Sequence, residues 1–537
     1  MKHLNICIVL LLMSVISHAQ LVNNGGTITV QSGATLRIET SITNNAASTI
    51  NNDGIIEVQN DLINNGTFTS GATSKVVFIG DANSNVTSGG ATFRYIEMKK
   101  DNENITLTDE MKISSTLDFV NANNRVKISD NNLVILAGGS VNNAGSNRYV
   151  ETNGDGFFVK EINADLTLNF ETGTASHYSP VSCAISGSGY SSATTSARVY
   201  NTGLTTKYAD ATDYISREWQ VTSSGITGYE NTMTGTYNDS DITGTEAYIK
   251  GAYYTTEWKF DNSTANPTGN EVSATTTHTD VKLSGMNFFG KASITAFLSG
   301  AMSSGTNMTK LLNTNGLIPL TTPYTAAPFN APAVTATAIP VDATDWILVE
   351  VRDAANPATI ISQSSGFILT DGTIVSYDGT ALRLKNAVSN GIIALRHRNH
   401  LPIRTASVID LVNPTPKNFS SGISEAYTNP AVTTNANMNL INGVYAMWAG
   451  DVNQDGYVRY IVFGIPPRPA DSNLILTNAL GGIPSGSLSG VYSNYDINLD
   501  NYVRYIVFGI PPRPADKDLI LTQTLKGNPS NSVQRHF

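Results

Sequence analysis

Residues 21–70 read LVNNGGTITVQSGATLRIETSITNNAASTINNDGIIEVQNDLINNGTFTS, and the order of turns and strands in this stretch decides how the chain begins to fold. Asn pairs recur at Asn23-Asn24, Asn44-Asn45, Asn51-Asn52 and Asn64-Asn65. Between them lie short runs with alternating apolar residues: Thr27-Ile28-Thr29-Val30, Thr35-Leu36-Arg37-Ile38, Ile55-Ile56-Glu57-Val58 and Gly66-Thr67-Phe68-Thr69. No helical period is present. Short strands, repetitive but irregular in spacing and separated by Asn and Gly turns, predict a β-solenoid resembling a parallel β-helix over residues 20–148. Asn suits such turns because it tolerates the left-handed backbone and stacks as a hydrogen-bonded ladder. A β-sandwich with Asn-rich hairpins is the alternative. A solenoid would offer a long polar flank, suited to a stalk or an adhesive surface.

Residues 149–295 carry longer and more aromatic strands, such as Glu218-Trp219-Gln220-Val221 and Glu257-Trp258-Lys259-Phe260, punctuated by polar turns. Residues 296–440 begin with a proline-marked stretch (Pro319, Pro323, Pro328, Pro332, Pro340) and continue with the strand Trp346-Ile347-Leu348-Val349-Glu350-Val351. Asp371-Gly372 and Asp378-Gly379 are hairpin signals. Two successive β-sandwiches are the simplest expectation.

Upstream of all this, residues 1–19 look like a signal peptide: polar Lys2 and His3, an apolar run from Ile6 to Ile16, and a small-residue cleavage site at Ser17-His18-Ala19. Its loss would leave Cys183 as the only cysteine, so no intramolecular disulfide is expected. No later stretch is apolar for long enough to cross a membrane as a helix. Charged residues are only 14% of the 537 and the net charge is −10. That balance fits a secreted or outer-cell-surface protein and speaks against nucleic acid as a partner. It is compatible with divalent cations.

Catalytic motifs are not found: no H-E-x-x-H, no G-x-S-x-G and no phosphate-cradling glycine loop. Arg396-His397-Arg398-Asn399-His400 is the one tempting cluster. Read as a strand, it sends His397 and His400 to opposite faces, so the expectation is a solvated basic face and no shared ion.

The sharpest signal lies in residues 441–525. Tyr457 to Asp471 reads YVRYIVFGIPPRPAD, and the same fifteen residues recur from Tyr502 to Asp516. An acidic ladder precedes each copy: Asp451-x-Asn453-x-Asp455-Gly456 and Asp496-x-Asn498-x-Asp500-Asn501. D-x-N-x-D-G is the opening half of an EF-hand loop, in which alternate residues aim oxygens at one Ca2+. The sixth position must turn sharply, which suits Gly456 and, next best, Asn501. The seventh residue, Tyr457 or Tyr502, would lend its backbone carbonyl, and Val458 and Val503 would anchor the loop to a core.

The twelfth position, where an acid closes an ordinary loop, holds Val462 or Val507. The next acids are Asp471 and Asp516, each opening an apolar run that reads as a helix, with Asn473 and Asp518 as substitutes. Stretching the closed loop from about 12 to about 21 residues costs only ~0.5 kcal/mol of chain entropy, so the insertion is tolerable. Asp/Asn turns that merely cap helices are the alternative.

The tandem arrangement resembles dockerin modules, and is most similar to variant dockerin-like tails of secreted bacterial surface proteins. That resemblance implies a small α-helical calcium module at 441–525, with a tail at 526–537. It implies Asp451, Asn453, Asp455 and Asp471, with Asp496, Asn498, Asp500 and Asp516, as ligands, and a cohesin-like or other cell-surface protein as partner, with polysaccharide a further candidate. The function expected is that of a non-catalytic adhesive or structural protein attached through this module. The alternative is a component of a polysaccharide-degrading system.

Overall fold

The structure is a computed structural model that describes residues 20–537 except 153, 201–203, 205, 209–210, 261–262, 303–304, 463–466 and 508–512. The expected signal peptide, residues 1–19, lies outside the described residues. The chain is mainly β, 46% strand and 8% helix. It divides into two compact units that meet in sequence at Asn287 and Phe288.

The first unit opens with a β-solenoid of about seven turns. One wall stacks Leu21–Asn23, Ile42–Asn44, Leu62–Asn64, Ser84–Thr87, Ile105–Leu107, Arg125–Lys127 and Tyr149–Glu151 in parallel register. A second wall stacks Thr35–Ile38, Ile55–Val58, Lys75–Gly80, Thr92–Lys100 and Met111–Phe119. Because the side-chain period is two, Leu36, Ile56, Val76, Ile96 and Leu117 fall on one another rung by rung. All but Leu36 are fully buried in the solenoid interior.

The Asn pairs hold the corner. Asn23 Nδ2 donates to Asn44 Oδ1 (2.9 Å), Asn44 Nδ2 to Asn64 Oδ1 (2.8 Å), and Asn64 Nδ2 to the Ser88 carbonyl (2.7 Å). An amide both donates and accepts, so the same residue repeated each turn satisfies its neighbours above and below without any charge. At another corner, where the second wall passes into the first, the device changes. Lys100 is fully buried, with Nζ donating to the carbonyls of Gln59 and Ile79 (both 2.8 Å) and to Ser84 Oγ (3.0 Å). Burial pulls its pKa down to about 8.

No break in core or sheet marks the boundary expected near residue 148. The second wall continues through Leu133–Ile135 into Phe158–Ile162, which pairs antiparallel with Gly189–Tyr200, followed by Glu218–Thr227 and Asp280–Asn287. A second sheet of five strands, from Leu166–Phe170 to Thr264–Asn266, covers this extension. Trp219, Val221, Met233, Ala274 and Leu283 are buried there in the same core as the solenoid interior. Cys183 lies in it too, its thiol pushed up to about 12 by burial.

The second unit is built on a six-stranded sheet centred on Ala343–Arg352, between Ile360–Leu369 and Asn390–His397. The Asp371-Gly372 turn sits as read, with Gly372 at φ +85° between Ile360–Leu369 and Ile374–Ser376. The cluster at 396–400 does not. His397, Arg398, Asn399 and His400 are all buried. Arg398-Asn399 is a two-residue turn joining Asn390–His397 to His400–Arg404, so His397 and His400 are opposite partners in the hairpin and share a face. Their Nδ1 atoms lie 3.1 Å apart. The solvated face expected from uninterrupted strand alternation is therefore corrected to a buried hairpin tip.

Residues 526–537 are not a free tail. Ser532–Gln534 is a strand paired with Tyr457–Arg459, while Ser487–Ser489 pairs with Tyr502–Arg504. Each repeat thus supplies the strand that covers the other repeat's loop. No helix among the described residues is long and apolar enough to cross a membrane.

Candidate metal centre

Each acidic ladder forms a tight loop with two left-handed positions, the fourth and the sixth: Gln454 (φ +60°) and Gly456 (+83°), then Leu499 (+56°) and Asn501 (+76°). This backbone turns the peptide N–H groups inward. Asp451 Oδ2 accepts from Gly456 N (3.2 Å), and Asp496 Oδ2 from Asn501 N (3.0 Å). Asn453 and Asn498 accept from the N–H groups of Asp455 and Asp500, and those two aspartates from Tyr457 and Tyr502. Val458 and Val503 then enter a core with Ile475, Ile497, Ile520 and Val533.

Beyond the inserted segment the chain is again at the loop. Asp471 and Asp516 open the short helices Asp471–Leu474 and Asp516–Leu519, each continued by a wider turn of helix at Ile475–Ala479 or Ile520–Thr524. Their carboxylates turn away from their own helices and into the loops. Asp471 accepts from Val452 N (3.1 Å) and Arg459 N (2.9 Å); Asp516 accepts from Ile497 N and Arg504 N (both 2.8 Å). The acid expected to close each loop is therefore seated against it, while Asn473 and Asp518 make no such contact with the loops.

Electrostatically the seats are costly. Burial, then the negative charge of Asp455, pushes the Asp451 carboxyl up to about 7, and burial with Asp451 nearby pushes Asp471 well above the usual carboxylate range. Burial likewise takes Asp496 to about 7, and burial with Asp496 nearby raises Asp516. Asp451 is only 1% exposed, yet its Oδ1 has no hydrogen-bond partner. A buried oxygen without a donor, beside a second buried carboxylate, fits a hard cation that would draw on both together with the Asn453 amide oxygen and the Tyr457 carbonyl.

Not every expected ligand converges. Asp455 and Asp500 are ion-paired to Arg459 (2.7 Å) and Arg504 (3.2 Å). Among the described residues no group of three or more His, Cys, Asp or Glu side chains is placed to hold a metal ion. The core of each loop is a pair of carboxylates, not a trio.

Several residues at these loops escape a reading of the ladder alone. Tyr457 is stacked between Arg459 and Arg468 (4.1 and 4.7 Å from ring centre), and Tyr502 between Arg504 and Arg513 (3.9 and 4.5 Å). The repeated Tyr-x-Arg followed by Pro-Arg-Pro is the signal that could have found them. Arg398, Asn399 and Gln454 had no such signal. Asn399 Nδ2 donates to the Asp496 carbonyl (2.7 Å), and Gln454 Nε2 to the carbonyls of Arg398 and Asp451 (both 2.9 Å). Arg398 reaches the Ser493 carbonyl and pairs with Asp345 (2.9 Å). Burial alone would raise Asp345, but Arg398 and His397 hold it at about 2, with Tyr492 Oη donating at 2.6 Å. The buried hairpin tip thus lies against both loops.

Compared with known proteins, the chain matches no family model, no curated protein and no solved structure.

Proposed function

We propose that this is a secreted or cell-surface, non-catalytic protein, adhesive or structural, whose C-terminal calcium module stabilises and attaches it. The observation that carries the calcium reading is the buried, partnerless Oδ1 of Asp451 beside the buried carboxylate of Asp471. Asp451, Asn453, Tyr457 and Asp471 would hold one Ca2+, and Asp496, Asn498, Tyr502 and Asp516 another, with Asp455 and Asp500 contributing on release from their arginines. The cation would supply the positive charge that two buried carboxylates otherwise lack. In the same reading residues 1–19 are a signal peptide, and the sheets following the solenoid form two β-sandwiches. A cohesin-like or other surface protein is the partner class. The solenoid of about seven turns supports a stalk or adhesive role.

Calorimetric titration of the chelator-treated protein with calcium tests this. Binding is expected with a dissociation constant on the order of 10⁻⁵ to 10⁻³ M, with a calcium-dependent rise in unfolding temperature. The absence of both heat and stabilisation at millimolar calcium would sink the reading.

One observation favours the polysaccharide alternative. In the first unit a cleft of about 430 Å3 is lined by Glu171, Glu271, Tyr178, Asn143 and Asn169. Two carboxylates in one polar cleft are the minimum for glycoside hydrolysis, although Glu171 is already paired with Lys160 at 3.0 Å. Release of reducing ends from a polysaccharide panel, abolished by E271Q, would establish it.

A further inference from the structure

The sequence period implies two equal sites, but the structure breaks their equality in three places. First, the carboxylate oxygens differ. Asp451 Oδ1 makes no close, well-aligned hydrogen bond, although Asp455 N is near enough to act on the carboxyl. Asp496 has both oxygens engaged, Oδ1 by Asp500 N (3.1 Å) and Oδ2 by Asn501 N (3.0 Å). Second, the surrounding charge differs. Arg459 and Arg504 are equivalent, each paired within its own loop. The second loop has in addition the Arg398 guanidinium, fully buried, fixed by Asp345 and the Ser493 carbonyl, and acting on Asp496. Its counterpart at the first loop is Arg535, which acts on Asp451 but stands exposed beside Gly456, where water screens it. Third, the hairpin tip holds the second loop directly, through Asn399 on the Asp496 carbonyl. It meets the first through the side chain of Gln454, whose equivalent, Leu499, can make no such bond.

We propose that the two loops are unequal cation sites: the loop opened by Asp451 takes the divalent cation first, and the loop opened by Asp496 is a weaker site already part-neutralised by Arg398. This rests on the calcium reading above. A dication entering the second loop meets a fixed, poorly screened positive charge and shares the Asp496 carboxylate with two backbone donors, against one on Asp451. At the first loop it meets an open oxygen. Like charges in a partly buried setting repel strongly enough to separate the affinities by on the order of tenfold.

Calcium calorimetry and tyrosine-sensitised terbium luminescence on the full chain, after chelator treatment, decide the matter. Two steps are expected, about tenfold apart. D451N should remove the tighter step, and D496N should remove only the weaker one. Both changes put an isosteric neutral amide where a buried charge stood, so folding is retained, and circular dichroism checks it. The double variant D345N/R398Q, which removes a buried pair as a pair, should strengthen the weaker step several-fold and leave the tighter one in place. Two equal steps, or loss of the tighter step in D496N, overturn the inequality while leaving calcium binding intact. No heat and no luminescence in the unaltered chain overturn the calcium reading, and the inequality with it.

Discussion

The solenoid and the C-terminal loops draw on the same residue types, Asn and Asp in tight turns, and reach opposite electrostatic ends. In the solenoid, Asn23, Asn44 and Asn64 form a buried ladder of neutral amides in which Asn44 and Asn64 each both donate and accept. In the loops, Asp451 and Asp471 are buried as acceptors only, and one oxygen has nothing to accept. The contrast separates Asn/Asp turns that are complete in themselves from turns that could take an ion. A turn that closes its own hydrogen bonds is complete, whereas one that buries paired carboxylates needs a charge from outside.

The largest effect is expected where a buried charge is balanced within the chain. D345N would leave Arg398 without its partner and destabilise the second unit by ~3–5 kcal/mol in chemical denaturation. A loss below ~1 kcal/mol would show that the hairpin tip is wetter than its burial implies. Next comes the cation itself. Calcium at a hundredfold excess over its dissociation constant should stabilise the second unit by ~2.7 kcal/mol per site and leave the solenoid unmoved.

In chelator the pH response should reverse the usual acid behaviour. Asp451 and Asp496 titrate at about 7 when folded, above the ordinary carboxylate value expected when unfolded. The folded state therefore holds extra protons between about pH 4 and 7, and stability must fall as pH rises through that window. Thermal scans at pH 5 and pH 7.5, with and without calcium, check the sign. In the solenoid, N44A cuts the ladder between Asn23 and Asn64 and should cost ~1–3 kcal/mol, independent of calcium and of pH near neutrality. The smallest change is R468A, which removes one guanidinium from Tyr457 and should cost only ~0.5–1 kcal/mol.

Much of this was legible in the sequence, and the reasons for the rest are specific. The solenoid showed itself because its turns repeat the same Asn pair and its strands alternate. The return of Asp471 and Asp516 to the loops could be read because each opens an apolar helical run after a tolerable insertion. The hairpin at Arg398-Asn399 was hidden because the pair lacks the glycine that usually accompanies Asn in a two-residue turn, and without the turn the two histidines fall on opposite faces. The continuity of the first unit past residue 148 was hidden because the longer, more aromatic strands beyond it read as a new domain, although they extend the same sheet in antiparallel pairing. Arg459 and Arg504 were overlooked because the ladder reading treats every acid in the loop as a ligand and asks nothing about nearby cations.

The crossed strands have a temporal consequence. Tyr457–Arg459 is covered by Ser532–Gln534, which leaves the ribosome some seventy residues later, whereas Tyr502–Arg504 finds its cover, Ser487–Ser489, already made. During synthesis the second loop can close first, and the first waits for the final strand. The loop with the open oxygen is thus the last part of the module to be fastened, and trimming Ser532–Gln534 should loosen that loop while sparing its twin.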